Sequence, residues 1–342
     1  MTSQNTRDAQ GTPSPRLVVV GENVMDLLPT SHGADVLRAA PGGGPANTAV
    51  SAVRLGTPTR LLARIGADGF GELIRARLLG EGLDPAGLVA AEEPTALALA
   101  TLGPDGSARY DFRMDDAADW RWRPGELPEE LEPGVRALHA ASIALFREPG
   151  AALIEGMLRR EHERGRATLT LDPNIRHDVI GDPGRARESV LRHVAQAHLV
   201  KASDEDLAFL YPDLSPVRAA HALAALGPVL VVVTLGADGA LAVSGGMEVS
   251  VAAPRTEVAD TVGAGDSFMG ALLNWLDRHD RLGEGPRDRL AGLDKTELED
   301  LLGFAVSVAA VTVTREGANP PTMEEVAGRG GPGAGSTVLA AP

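Results

Sequence analysis

Two carboxylates and two glycines lie within one short segment, from Asp260 to Phe268. The small residues at 263 to 265 leave the first backbone N–H groups of a following helix unobstructed. The helix dipole adds partial positive charge there, so the turn can receive phosphate oxygens. Asp266 stands at the mouth of the turn, where a carboxylate can take a proton from a hydroxyl group while amides hold a phosphoryl group. The same residues could also form an ordinary glycine-rich turn and helix cap.

A helix is predicted to begin directly at this segment. Its apolar residues recur at i, i+3, i+4, i+7 and i+8, which is typical of a helix with one buried face. These residues are Phe268, Ala271, Leu272, Trp275 and Leu276. Such a helix would hold Asp266 and the glycine turn in a fixed position against the core.

Composition excludes several kinds of protein. The 342 residues are 44% hydrophobic, enough for one large α/β domain or two smaller ones. There is no cysteine, which excludes disulfides and thiolate chemistry, and a net charge of -15 argues against a nucleic-acid partner. No apolar run reaches membrane-spanning length, and residues 1–15 lack a signal-peptide core and are predicted to be a disordered leader. The expected protein is cytoplasmic, with no membrane partner and with a disordered tail at 328–342.

Polar residues recur where predicted strands end. Asp26 follows the apolar run 17–20, Asn47 closes the glycine cluster 41–47, and Asn174 and Arg176 follow the strand predicted at 167–171. Ligands bind at the carboxyl edge of open α/β sheets, so these loops are expected to share a cleft with Asp266. The predicted fold is a doubly wound, mainly parallel sheet flanked by helices, spanning 16–327. Asp26 could instead be a solvated loop acid, and Arg176 could form a surface ion pair.

An additional β-hairpin interrupts the βα pattern. Strands are predicted at 95–102 and 108–112, followed by Ala117-Ala118-Asp119-Trp120. Together with strands near 28–42, the region 95–122 is expected to form a small β lid that keeps water from the reaction. The alternative is a plain surface hairpin with an exposed aromatic residue or two.

These motifs together resemble the PfkB, or ribokinase-like, family of carbohydrate kinases over nearly the whole chain. The resemblance rests on Asp260-Thr261 followed by Gly263-Ala264-Gly265-Asp266, on the glycine cluster with Asn47, and on the segment 63–71. The D-P-N-x-R sequence at 172–176 and the A-A-D-W sequence at 117–120 are similar to the fructokinase-like branch. The family implies a phosphoryl transfer from ATP to a hydroxymethyl group of a sugar, with Asp266 as base and the 263–265 turn stabilising charge.

The resemblance also implies binding roles for residues outside this turn. The sugar is expected to contact Asp26, Gly43, Gly44, Asn47, Phe112, Asn174, Arg176 and Asp266. The nucleotide is expected to contact Ser203, Thr234, Gly236, Gly239, Gly263, Gly265 and Asn319. The segment 234–239 could equally be a β-hairpin turn.

Metal ions are implied by the same resemblance. Mg²⁺ is expected with ATP near Asp206, and K⁺ is a candidate for a site formed by Asp260, Val262 and Gly317. Family members usually carry Asn-x-x-Glu where this chain has Ser203 and Asp206. The acids at 204–206 could therefore simply be favourable residues in the first turn of a helix.

Fructose is the first choice of substrate from these motifs. The alternatives are 2-keto-3-deoxygluconate, ribose or a nucleoside. A sugar-binding regulator that has lost catalysis is the rival from another class of protein. The partners are therefore a sugar and ATP, and exposed lid strands could pair in a homodimer.

Overall fold

Short runs of buried β-branched residues alternating with amphipathic helices build this protein, as the periodicity predicts. The computed structural model describes residues 14–30, 33–102, 108–176 and 179–328. Elements are numbered along the chain. Nine strands form the large sheet, in the spatial order β13-β12-β11-β10-β9-β8-β1-β4-β5, and all neighbours are parallel except β11-β12 and β12-β13. They are β1 (Leu17–Val20), β4 (Thr59–Gly66), β5 (Leu88–Ala91), β8 (Ala137–Ala141), β9 (Thr168–Asp172), β10 (Leu199–Ser203), β11 (Leu230–Thr234), β12 (Ala240–Ser244) and β13 (Met247–Val251).

Helices cover both faces of this sheet. Alternate residues of β1 show the arrangement, because Leu17 and Val19 belong to one hydrophobic cluster while Val18 and Val20 belong to another. The predicted doubly wound α/β fold is therefore confirmed. The helices are α1 (Gly44–Arg54), α2 (Gly69–Gly80), α3 (Gly150–Arg164), α4 (Pro183–Gln196), α5 (Asp204–Leu210), α6 (Pro216–Ala224), α7 (Ala264–Arg278), α8 (Pro286–Ala291), α9 (Lys295–Thr312) and α10 (Met323–Ala327).

The strand order reverses between β1 and β8. From β1 the chain adds β4 and β5 on one side, and then adds β8, β9, β10 and β11 on the other. Ligands of open α/β sheets bind at the carboxyl ends of the strands beside such a switch point. The loops that follow β1, β8 and β9 lie there, and the loop after β9 carries Asn174 and Arg176.

A second, four-stranded sheet lies in the order β3-β2-β6-β7. Its strands are β2 (Val24–Thr30), β3 (Gly33–Gly42), β6 (Ala96–Leu102) and β7 (Ala108–Arg113). Strands are therefore present in both regions predicted for the lid, and the first begins at Val24 because Val24 to Leu27 pair with Ala96 to Leu99. Asp26 consequently lies on a strand, and the prediction that it belongs to a loop was wrong. The role of this sheet as a lid stays a prediction.

The A-A-D-W segment is a buried anchor. It forms a short 3-10 turn at 118–120, and the Trp120 side chain is only 2% exposed, with its indole N–H donating to the Met114 carbonyl at 2.9 Å. Asp119 Oδ1 accepts the Asn23 backbone N–H at 2.6 Å and so ties this turn to the loop after β1. The alternative of an exposed aromatic at this position was wrong, because the ring fills the core below the small sheet.

The predicted disordered ends fall almost wholly outside the described residues, which begin at Ser14 and end at Gly328. The predicted hairpin loop at 103–107 lies outside them as well. Among the helices of the described ranges, none combines the length and the apolar character needed to span a bilayer.

Candidate active site

The start of α7 forms an uncapped turn. Gly263 precedes the helix with φ +77°, and a Cβ there would lie 2.7 Å from the Cβ of Ala318, so glycine is required on both counts. The Ala264 N–H donates to Thr261 and the Ser267 N–H donates to Gly263, while no side chain caps the helix. The amides that this turn presents are therefore those of Gly265 and Asp266. All five residues of the predicted apolar face of α7 are buried, but so is every other residue from Asp266 to Asp277, so the helix is buried on all sides and not on one face alone.

The Asp266 carboxylate faces polar groups from two other segments. Its Oδ2 accepts a hydrogen bond from Asn47 Nδ2 at 2.9 Å. On the other side stands Gly44, where a Cβ would lie 3.3 Å from Asp266 Oδ1 and 2.7 Å from Asn174 Nδ2. Asp266 is 8% exposed, but it is buried among polar atoms and not in the apolar core. The starts of α1 and α7 and the loop after β9 thus converge, as the sequence predicts.

Burial and neighbouring charges shift the pKa values of Asp266 and Asp26, two acids of this cleft. Burial raises the pKa of Asp266 above its usual range, although the Asn47 hydrogen bond and the charges of Arg176 and Lys201 lower it. Burial also raises the pKa of Asp26 to about 6, against the lowering effect of Arg176 and Arg77, and the charge of Asp266 raises it further. A carboxyl group shifted upward in this way is better suited to accept a proton near neutral pH.

Close contacts around the glycine cluster leave no room for a side chain at Gly42 or Gly43. A Cβ at Gly43 would lie 2.5 Å from the Glu22 carbonyl oxygen, and one at Gly42 would lie 2.3 Å from Asp26 Oδ2. Only glycine allows this close approach. Phe112 is different, because it is half-buried on β7 opposite Ala98 and belongs to the small sheet.

Two carboxylates shape the loop that carries Asn174 and Arg176. Asp172 Oδ1 accepts the Asn174 N–H at 3.1 Å, and Asp206 Oδ1 accepts the Ile175 N–H at 2.7 Å. Asn174 takes a φ of +39°, a region that asparagine tolerates better than most residues. Arg176 is exposed and forms no ion pair among the described residues, but its charge acts on Asp26 and Asp266. The surface ion pair considered for Arg176 is therefore not observed.

The acidic start of α5 is a helix cap. Ser203 and Asp206 form a reciprocal capping box, with the Ser203 hydroxyl and N–H both donating to Asp206 Oδ2 at 2.7 and 2.8 Å. Since Oδ1 holds Ile175, both oxygens of Asp206 are engaged, and the side chain is 4% exposed. In the ranges that the structure describes, no group of three acids or histidines could hold a metal ion. The geometry does not support Asp206 as a Mg²⁺ ligand, and it matches the helix-cap alternative.

The predicted nucleotide residues fall into two groups. Ser203 and Thr234 are paired neighbours at the ends of β10 and β11, and Gly236 and Gly239 follow in the turn to β12. A hairpin turn at 234–239 is confirmed, because β11 and β12 are antiparallel, and this turn is compatible with the role predicted for it in nucleotide binding. Gly239 has φ +104°, and a Cβ there would meet the Val251 carbonyl.

The second group surrounds Asp260. Its Oδ1 accepts the Val262 N–H at 3.0 Å and its Oδ2 accepts the Gly317 N–H at 2.8 Å, so the three residues predicted for K⁺ do lie together. Asn319 follows, with Oδ1 bound by Arg54 at 2.6 Å and its N–H donating to the Gly317 carbonyl. Since Ala318 packs against Gly263, this loop borders the turn of α7.

Sequence reasoning missed two charged groups of the site. Glu22 is 1% exposed, accepts the Ala144 N–H at 3.1 Å, and has its pKa raised by burial to about 7. Lys201 is 4% exposed and forms an ion pair with Asp172 at 2.9 Å. A lysine inside an otherwise apolar strand is the signal that could have revealed it, since charged side chains are almost never fully buried without a partner.

An uncapped helix start, an acid facing a polar cleft and a small β sheet beside a parallel sheet form the arrangement expected of a ribokinase-like phosphotransferase. The sequence pattern of the pfkB family carbohydrate kinases matches residues 14–325, and the chain belongs to this family. It is 33% identical over 317 residues to the probable fructokinase-3 of Arabidopsis thaliana, covering 91% of this chain and 89% of that protein.

Two solved structures share the fold over most of their length. A fructokinase double mutant from Vibrio cholerae O395, with fructose, ADP and a potassium ion bound, has a TM-score of 0.78 and 28% identity, covering 91% of this chain and 97% of that one. The fructokinase from Xylella fastidiosa with bound ATP has a TM-score of 0.82 and 26% identity, covering 91% and 96%. The predicted family, fold and enzyme class are thereby confirmed.

Proposed function

We propose that this carbohydrate kinase transfers the γ-phosphoryl group of ATP to a hydroxymethyl group of fructose. The observation that carries the proposal is the Asp266 carboxylate, held by Asn47 and facing Gly44 and Asn174, directly beside the uncapped turn of α7. The fructokinase names of the relatives and the D-P-N-x-R and A-A-D-W motifs support fructose as the acceptor.

The arrangement supports an in-line transfer. Asp26, Asn47 and Asn174 would bind sugar hydroxyls, which orients one hydroxymethyl group toward Asp266. The proton of that hydroxyl passes to the Asp266 carboxylate while its oxygen bonds to the γ-phosphorus and the bond to ADP breaks. The Gly265 and Asp266 amides would stabilise the charge on the phosphoryl oxygens. Closure of the small sheet over the sugar would exclude water as a competing acceptor.

Both metal ions remain part of this proposal. Mg²⁺ keeps several waters and often reaches a protein mainly through substrate phosphates, which suits a site where Asp206 has no free oxygen. When bound with ATP, it would neutralise phosphate charge. For K⁺, each Asp260 oxygen already accepts one backbone N–H group, from Val262 or Gly317, so the ion would depend mainly on loop carbonyls beside Asp260. The Vibrio cholerae relative was solved with potassium.

The cellular compartment and the oligomeric state of the protein also stay proposals. The cytoplasm is the expected compartment, because ATP is the proposed donor. A homodimer through the lid is supported by the edge position of β3 in the small sheet and by its exposed Val36 and Leu37.

A coupled assay of ADP release tests the proposal across fructose, 2-keto-3-deoxygluconate, ribose and a nucleoside. We expect the highest kcat/KM with fructose. A higher value for another acceptor would overturn fructose while keeping the kinase. Thermal shifts with sugar and no ADP release with any acceptor would instead indicate the sugar-binding regulator.

A further inference from the structure

Lys201 extends from β10 toward the helix that carries the candidate base. Its strand neighbours Val200 and Ala202 belong to one hydrophobic cluster, whereas Leu199 belongs to the cluster that contains α7. Because side chains alternate along a strand, Lys201 lies on the same side of the sheet as Leu199. It is one of only two lysines among the 342 residues, the other being Lys295.

The ammonium group of Lys201 lies directly behind the turn of α7. A Cβ at Gly265 would be 3.0 Å from Lys201 Nζ, so the absence of a side chain at Gly265 leaves room for the ammonium group. On its other side, Nζ donates to Asp172 Oδ2 at 2.9 Å. Asp172 also shapes the loop of Asn174 through its Oδ1, so a single carboxylate holds both the lysine and the loop.

The surroundings keep this lysine charged. Burial alone would lower the pKa of Lys201, but the negative charges of Asp172, Asp206 and Asp266 raise it above the usual value. His139 on β8 adds no charge, because burial and the charge of Lys201 lower its pKa to about 3. A buried positive charge therefore lies against Gly265 at the start of α7.

We propose that Lys201 is a positioning residue whose buried ammonium, held by Asp172 behind Gly265, keeps the Asp266 base ionised and adds positive charge beneath the phosphoryl-binding turn. The inference rests on the proposed function and deepens it. The ionisable and polar groups that act on Asp266 from the surrounding elements are Asn47, Arg176, Lys201, Asp26 and Asp172. Of these, Asn47 bonds to the Asp266 carboxylate itself, and Lys201 is the one whose charged group lies against Gly265. A purely structural ion pair between β9 and β10 is the competing role.

The test measures the ionisation of Asp266 in two ways, in the Lys201→Met and Lys201→Arg variants. The first is the acid limb of the kcat/KM profile against pH, and the second is a carbon NMR titration of the Asp266 carboxyl group, which needs no turnover. Loss of the ammonium in Lys201→Met should move the acid limb and the midpoint of the Asp266 titration toward higher pH by about one unit. At pH values below the limb, this corresponds to a roughly tenfold loss of kcat/KM. Lys201→Arg should retain the wild-type limb. The exposed Lys295→Met serves as matched control and should change neither.

The double variant Lys201→Met/Asp172→Asn covers the case in which Lys201→Met does not fold, because it leaves no unpaired carboxylate. In this double variant the acid limb and the Asp266 titration should also move toward higher pH, but by less than in Lys201→Met. Superimposable NMR titrations of Asp266 in folded wild type and variant would overturn the role of Lys201. Failure of the wild type to release ADP with every acceptor would overturn the proposed function instead, and the NMR titration would still decide on Lys201.

Discussion

Two helices of this kinase begin at the same edge of the large sheet, and their starts behave in opposite ways. At α5, Ser203 and Asp206 satisfy each other's backbone groups in a capping box. At α7, Gly263 takes a left-handed conformation and no side chain caps the first turn. Both starts carry a buried aspartate, yet Asp206 has both oxygens engaged while Asp266 faces Gly44 and Asn174.

The difference shows when a helix start can receive a ligand. The dipole and the orphan amides exist at every helix N-terminus, but a serine or aspartate cap already satisfies one of these amides and covers the end of the helix. Glycine at the cap leaves the amides open and lets a phosphate approach the backbone. The acid of the capped start consequently orients a neighbouring loop, and the acid of the open start is available for chemistry.

Asp266→Asn tests the open start and should have the largest effect. Loss of a general base typically costs about 10²- to 10⁴-fold in rate, so we expect a kcat lower by that factor with little change in sugar or ATP binding. Thermal unfolding should be unchanged or shifted upward at neutral pH, since burial raises the pKa of Asp266 and its ionised form is therefore disfavoured in the fold. A kcat close to wild type would remove Asp266 from the mechanism and with it the contrast between the two starts.

Gly44→Ala tests the space in front of that acid. The new Cβ would stand 2.7 Å from Asn174 Nδ2, so the amide must move out of the sugar cleft. We expect about 10- to 100-fold lower kcat/KM for the sugar, because displacements of this size are costly in positioned reactions. Gly80→Ala is the matched control, since nothing lies within 4 Å of its Cβ position. Equal kcat/KM values for the sugar in the two variants would show that the sugar does not bind beside Gly44.

Asp206→Asn tests the capped start and should have the smallest effect on rate. An amide nitrogen cannot accept the hydrogen bonds of Ser203, so unfolding should become easier by about 1–3 kcal/mol. With Mg²⁺ held by ATP and water, the Mg²⁺ concentration for half-maximal activity should stay the same. If the half-maximal Mg²⁺ concentration shifted strongly and the free energy of unfolding did not change, Asp206 would be a metal ligand. The contrast between the starts of α5 and α7 would then be wrong.

The family resemblance predicted many residues of the site, because the key residues of the site lie in short local motifs. The turn at 263–266 and the glycines at 42–44 with Asn47 each lead into a helix, and Asn174 follows a parallel strand. Parallel-sheet topology alone does not predict that they meet, because β3 and β13 are antiparallel, so that expectation came from the family resemblance. Asp26 was misplaced because its strand, β2, pairs with both β3 and β6, and strand pairing over such separations leaves little trace in local periodicity. Trp120 was open to misinterpretation for the same reason, since its burial depends on distant packing.

The sequence by itself determined the alternation of strands and helices, the open glycine turn and the identity of the candidate base, because each is a property of neighbouring residues. Only the tertiary structure decided which acid is free. Asp206 is occupied by Ile175 from another loop, and Lys201 finds Asp172 and Gly265 on different elements. Hydrogen bonds and charge pairs between distant segments depend on where the backbone brings them, and that geometry is absent from any single stretch of the chain.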